Sequence, residues 1–256
     1  LIDLVTSNFD NVVVVYNGAN AFEMDWVKDY PQIKGVLLCP GTGQSGFEGF
    51  GRVVAGEFNP SGRTADTYVT DLTASPWWNN FGDFKYTNAS EFNSNASSFD
   101  PEGTTPSFVN YVEGIYVGYR YYETVGVPVR FPFGYGLSYS TFTYSAITAT
   151  ATGVDFVVTN DSDVAGSTVA QLYVRAPQGG VLHPDRELKG FVKVELAAHE
   201  SKSVHIDFDR YTFRHFDVAA NAWKTESGEW TLLVGDNAEH LPLAIPHTCL
   251  LYTSPS

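Results

Sequence analysis

The spacing of apolar residues changes character twice along this chain. Leu1, Leu4 and Val5 recur at helical spacing, and Asn11–Tyr16 is a continuous β-branched run. Such a run is the mark of a strand buried on both faces of a parallel sheet. Ala21 to Tyr30 returns to helical spacing, with Phe22, Trp26 and Val27 on one side, and Pro31 blocks its continuation. Ile33 to Cys39 then reads as a second buried strand. Helix, strand, helix and strand in forty residues predict an α/β layer with crossover connections. Between about 64 and 106 the periodicity fades into a long loop that contains Trp77-Trp78-Asn79-Asn80-Phe81-Gly82.

Order returns in the aromatic stretches Tyr111–Tyr122 and Arg130–Tyr139. From Phe142 the period becomes two. Val154, Phe156 and Val158 alternate, as do Ala170, Leu172 and Val174, then Val204, Ile206 and Phe208, then Trp230, Leu232 and Val234. Turn clusters such as Asn160-Asp-Ser-Asp and Pro177-Gln-Gly-Gly separate them. Short alternating strands over about 100 residues predict a β-sandwich of immunoglobulin or fibronectin type III style. The expected fold is therefore a partial α/β parallel-sheet sandwich over 1–140, followed by an all-β sandwich over 141–246. Two parallel strands cannot make a sheet alone, so further strands of it are expected outside the chain. Residues 247–256 are expected to be a non-native tail with no strand partner.

Composition narrows the partners. The chain has 256 residues, 43% of them hydrophobic and 15% aromatic, enough for a real core. With 29 acidic against 15 basic residues the formal charge is −14, which repels nucleic acid and anionic membrane surfaces. Neutral ligands remain, and an aromatic-rich acidic protein suits sugars, whose faces stack on flat rings. No segment has the length of a membrane span, and residues 1–20 lack the layout of a signal peptide. Cys39 and Cys249 give no disulfide framework, and Cys39 reads as a small buried hydrophobe. The six histidines show no metal-ligand spacing, so no metal and no cofactor are expected. His183 and His215 read as surface residues of the sandwich.

One motif calls for a cofactor and has to be weighed. After Val36-Leu37-Leu38-Cys39-Pro40 the chain runs Gly41-Thr42-Gly43-Gln44-Ser45-Gly46, the spacing of a dinucleotide-binding turn. That chemistry requires a long helix whose N-terminus faces the phosphates, then a second strand ending in an acid for the ribose. Here Gly49, Gly51 and Gly56 are expected to interrupt any helix. Glu57 falls at the lip of the Phe58-Asn59-Pro60-Ser61-Gly62 turn. The glycines are better read as a loop that lies close to something.

Five stretches together carry a family resemblance: Gly41–Gly46 with Gly56–Arg63, Glu113–Tyr122, Phe131–Tyr139, Glu187–Phe191 and Ser227–Gly235. In this order they resemble the C-terminal half of glycoside hydrolase family 3, the β-glucosidases and their relatives. The resemblance implies the end of an α/β-sandwich domain followed by a fibronectin type III-like domain. It also implies that the aspartate nucleophile sits on a (β/α)8 barrel outside this chain, and that the acid/base glutamate precedes the strand at Asn11–Tyr16. No catalytic residue is therefore expected here, and the missing barrel is an expected partner of the chain. The implied activity of the intact protein is retaining hydrolysis of terminal β-glycosidic bonds, with an oligosaccharide or glycoside as substrate. The alternative is a non-catalytic carbohydrate-binding or structural module. Candidates for the substrate-side loop are Gly43, Gln44 and Glu48, with Trp77, Trp78 and Phe81 as a sugar-stacking wall or as the cover of the long loop. Glu113 reads as a carboxylate paired with Arg120 or Arg130, and most aromatics of the two aromatic stretches read as packing residues.

Overall fold

The computed structural model describes residues 1–80, 84–88 and 107–249. Helix α1 (Ile2–Thr6) precedes strand β1 (Val12–Tyr16), and β2 (Ile33–Leu38) pairs with β1 in parallel, Tyr16 opposite Leu38. Helix α2 (Phe47–Val54) follows the glycine turn. Three short antiparallel pieces come next: β3 (Tyr68–Val69), β4 (Phe84–Lys85) and β5 (Ser107–Phe108). Helix α3 (Tyr119–Val125) leads into β6 (Val129–Phe131), which pairs with β3, while β4 pairs with β5.

The sandwich starts at β7 (Phe142–Ala149) and continues through β8 (Gly153–Asn160), β9 (Gly166–Arg175), β10 (Glu187–Leu196) and β11 (Ser201–Asp207). The β12–β13 hairpin (Arg214–Asp217, Ala222–Thr225), β14 (Gly228–Gly235) and β15 (Leu243–Cys249) complete it. One sheet runs in the order β10-β9-β14-β15 and the other β11-β8-β7. Period two puts Val154, Phe156, Val158, Leu172, Val174, Leu232 and Val234 between them at 0–1% exposure. Trp230 joins this core at 1% exposed, its indole N–H donated to the Glu226 carbonyl at 3.1 Å.

Several expectations need correction. The stretch Ala21–Tyr30 forms only a 3-10 turn at Asp25–Asp29. Phe22 packs on Tyr16 at 4.3 Å between ring centroids and Met24 is fully buried, so local tertiary burial overrides helical spacing. Strand β1 is not buried on both faces, because Val13 and Val15 are 55% and 43% exposed. Helix α2 forms in spite of Gly49 and Gly51. Phe47 and Phe50 meet edge-to-face at 6.2 Å, and Glu48 and Arg52 occupy the ends that the helix dipole favours. The start of the stretch 247–256, expected to have no strand partner, has one. His247, Thr248 and Cys249 continue β15 opposite Trp230, Glu229 and Gly228, and His247 stacks on Phe213 at 4.9 Å.

The α/β part and the sandwich share a joint made from the aromatic stretches. Tyr119 and Phe133 pack with buried Tyr173 and Leu233, and the Leu188 N–H donates to the Tyr119 hydroxyl at 2.8 Å. Asn59 closes the seam with four hydrogen bonds. Its Oδ1 accepts from Ser138 Oγ and the Tyr139 N–H, both at 2.9 Å, and its Nδ2 donates to Ser140 Oγ and the Ala165 carbonyl at 3.0 and 2.9 Å. Arg63 donates from Nη2 to Thr168 Oγ1 at 2.9 Å and from Nη1 to the Gly136 carbonyl. Gly134 is required here: its φ is +83°, and a Cβ would stand 2.4 Å from the Gln171 amide. Tyr111 and Tyr139, expected to pack, are instead 81% and 62% exposed.

Candidate functional site

In a parallel pair the loops at the carboxyl ends of the strands face ligands. Here those loops are Asn17–Ala21 after β1 and Cys39–Gly46 after β2. Asn17 ties them, donating from Nδ2 to the Cys39 carbonyl at 2.7 Å, and the Tyr16 hydroxyl donates to the Asn20 carbonyl at 2.7 Å. Beside the first loop lies a cavity of about 490 Å³. Ala19–Phe22, Trp77, Val117 and Tyr122 line it together with the acidic residues Asp66 and Glu113. The Tyr122 hydroxyl is held by Ser75 Oγ at 3.0 Å. An apolar wall with an indole and a few polar groups is what a small ligand such as a sugar ring uses.

The residues singled out from sequence divide between two places. Trp77 lines the cavity, and Trp78, 38% exposed, begins the next turn. Gly43, Gln44 and Glu48 sit on the exposed glycine turn and the start of α2, and none of them lines that cavity. Phe81 lies outside the described residues. Gly43 has φ +63°, the left-handed conformation that glycine adopts without strain, and among the described residues none beyond its chain neighbours brings a heavy atom within 4 Å of where its Cβ would be.

Glu113 does not take the expected partner. Arg120 turns to Glu187 of the sandwich at 3.6 Å, and Arg130 lies over the Phe131 ring at 5.3 Å, which leaves Glu113 on the cavity wall. The dinucleotide reading also fails on geometry. Helix α2 has only eight residues, and Glu57, the acid at the ribose position, faces Arg52 at 3.5 Å.

Two features escaped the sequence reading. Burial pushes the Glu123 carboxyl up to about 7, although Arg186 stands 3.4 Å away. That guanidinium is shared with Asp185 at 2.7 Å, so it compensates Glu123 only in part. His183 and His215 are not simple surface residues. His183 is enclosed between Glu226 at 2.8 Å and Glu187 at 3.8 Å, and these carboxylates raise its pKa against the opposing effect of burial. The spacings 183, 215 and 226 carry no local pattern, so only the folded sheet order brings these residues together.

Known proteins place this architecture. The model of the glycosyl hydrolase family 3 C-terminal domain matches residues 1–139, and that of a fibronectin type III-like domain matches 168–238. An exo-alpha-(1->6)-L-arabinopyranosidase of Bifidobacterium breve is 36% identical over 247 residues, which cover 94% of this chain and 30% of that protein. Thermostable beta-glucosidase B of Acetivibrio thermocellus is 34% identical over 251 residues, 95% of this chain and 30% of that protein. The chain thus spans about 30% of the length of these curated relatives. Among solved structures, a beta-glucosidase of Bifidobacterium adolescentis superposes with a TM-score of 0.79 at 30% identity, over 100% of this chain and 36% of that one. A beta-glucosidase of Kluyveromyces marxianus in complex with glucose gives 0.81 at 28% identity, over 98% and 28% of the two chains.

Proposed function

Since the chain belongs to glycosyl hydrolase family 3, we propose that it is the C-terminal part of a β-glycosidase that removes terminal β-D-glucosyl units with retention of configuration. In this reading the α/β part contributes one wall of the sugar site, through the carboxyl-edge loops of β1 and β2, and the sandwich braces it. The observation that carries the reading is the family match across the α/β part, joined to a cavity at the carboxyl end of β1 lined by a tryptophan and two acidic residues. Retaining chemistry needs one ionised carboxylate and one protonated carboxylic acid about 5–5.5 Å apart. No acid of this chain lies in a motif that marks it as either, so nucleophile and acid/base are assigned to the part of the protein outside these 256 residues.

The names of the relatives divide between glucosyl and arabinopyranosyl units, and glucose is the reading adopted because beta-glucosidases recur in both sequence and structure comparisons. Aryl β-D-glucopyranoside and aryl α-L-arabinopyranoside, offered to the complete gene product, distinguish the two. Faster release from the glucoside, with a β-configured first product, is expected. Preference for the arabinoside overturns the substrate assignment, and turnover by the purified 256-residue chain alone overturns the placement of the catalytic groups.

A further inference from the structure

A cluster of metal-ligating side chains lies in the sandwich, away from the sugar-site reading and independent of it. Three separate segments build it: His183 from the connection before β10, His215 from β12, and Glu226 from the turn between β13 and β14. Their ligand atoms all lie within 4.8 Å of one another. His183 Nε2 is 2.8 Å from Glu226 Oε2, and its ring meets that of His215 edge-on at 5.9 Å between centroids. The His183 and Glu226 side chains are only 9% and 13% exposed, and Trp230 closes the floor at 5.7 Å from the His183 ring. Nδ1 of His215 is shielded from solvent and has no hydrogen-bond partner among the described residues. An unpaired buried imidazole nitrogen costs free energy unless something accepts its lone pair or its proton.

We propose that His183, His215 and Glu226 bind one divalent transition-metal ion, zinc by the chemistry of the donors, which staples the β12–β13 hairpin to the sandwich. Two imidazoles and one carboxylate suit zinc and its neighbours in the series, whereas calcium and magnesium take all-oxygen shells. Ligands of a tetrahedral zinc centre with 2.0–2.1 Å bonds stand about 3.3 Å apart, so the cluster must contract by at most about 1.5 Å. Glu187 supplies the outer support. Its Oε2 lies 3.8 Å from His183 Nδ1, the position from which a carboxylate orients a metal-bound histidine. With Nδ1–H directed at Glu187, Nε2 is the nitrogen that faces Glu226 and the metal. Binding displaces any proton on Nε2, which leaves to solvent, and water fills the fourth position. A metal-free ion-pair cluster would account for His183 and Glu226, but it gives His215 Nδ1 nothing to do.

The test uses the full 256-residue chain, freed of any histidine tag and treated with a chelator, titrated with zinc chloride by calorimetry and with cobalt(II) by visible absorption. One equivalent of zinc is expected to bind and raise the melting temperature, and cobalt should give the intense bands of a four-coordinate site. His215→Gln and Glu226→Gln should weaken zinc binding at least tenfold, and Glu187→Gln by about 10–100-fold. His240→Gln, at an exposed histidine bonded to Asp236, should leave it unchanged. Absence of stoichiometric uptake, a weak octahedral cobalt spectrum, displacement by millimolar calcium, or binding that survives His215→Gln each overturns the site. If any of the three weakening variants fails to fold by circular dichroism, the cobalt spectrum of the unmodified chain decides alone.

Discussion

Gly43, Gly134 and Glu123 show how single positions are fixed by different physics. At Gly43 the constraint is backbone conformation alone, since φ is +63° and the space around it is open. Gly43→Val in the complete protein should therefore cost about 1–2 kcal/mol of stability. It should lower kcat/KM further than the lost folded fraction explains, because the turn lies on the proposed substrate side. Melting curves beside kinetics check this, and normal kinetics in the folded fraction would reduce the turn to scaffolding. At Gly134 strain and collision act together, so Gly134→Ala should cost more, about 2–4 kcal/mol by denaturant titration. Glu123 is a matter of charge. Its folded-state pKa of about 7 stands above the unfolded value of 4.5. Folding thus favours its protonated form, and the penalty is absent below pH 4.5, grows between 4.5 and 7, and is complete above. Glu123→Gln should stabilise the chain by about 1–2 kcal/mol at pH 8 and leave it unchanged near pH 4.5. An equal effect at both pH values would assign the change to packing instead.

Among the elements, strand β15 offers the clearest test. Its last residues pair with β14 and lay His247 on Phe213, so they belong to the sandwich although their sequence carries no alternation. Relative to a chain ending at Cys249, one ending at Pro246 should melt roughly 2–8 °C lower, since about 1–2 kcal/mol correspond to that shift at this size. Equal melting temperatures would refute the assignment. The strand shows what sequence can and cannot disclose. The alternating runs around Phe156, Leu172 and Leu232 announced their strands because each decides burial by itself. His247–Cys249 is strand only because β14 lies beside it. Likewise Met24 draws its segment into the interior against the helical spacing of its neighbours, and α2 keeps its turns despite two glycines. At the candidate site, Trp77 stood out in the sequence as one of the paired tryptophans of the long loop, whereas Asp66 and Glu113 reach one cavity lining only through the folding of distant segments.

For the whole molecule, the joint between its two parts decides behaviour. Tyr173 is fully buried, packed against Tyr119 and Phe133 from across the seam. The sandwich, expressed as 141–249, has its own core and should fold, with a melting temperature below that of the full chain because the Tyr173 side of the seam is uncovered. The described residues of 1–140 show no comparable core and an open face at Val13 and Val15, so this half should give no cooperative monomeric transition. A sharp transition from that half by calorimetry would contradict this. The stretches that reveal the family by sequence, from Asn59 and Arg63 to Tyr119, Phe133 and Glu187, are largely the stretches that meet at this seam. Gene recombination therefore meets a constraint that the linker near residue 140 does not suggest. A chimera that takes its sandwich from another parent inherits only half of each lock, and a donor that carries a side chain in place of Gly134 brings no partner shaped for the contact that Gln171 makes with Gly134.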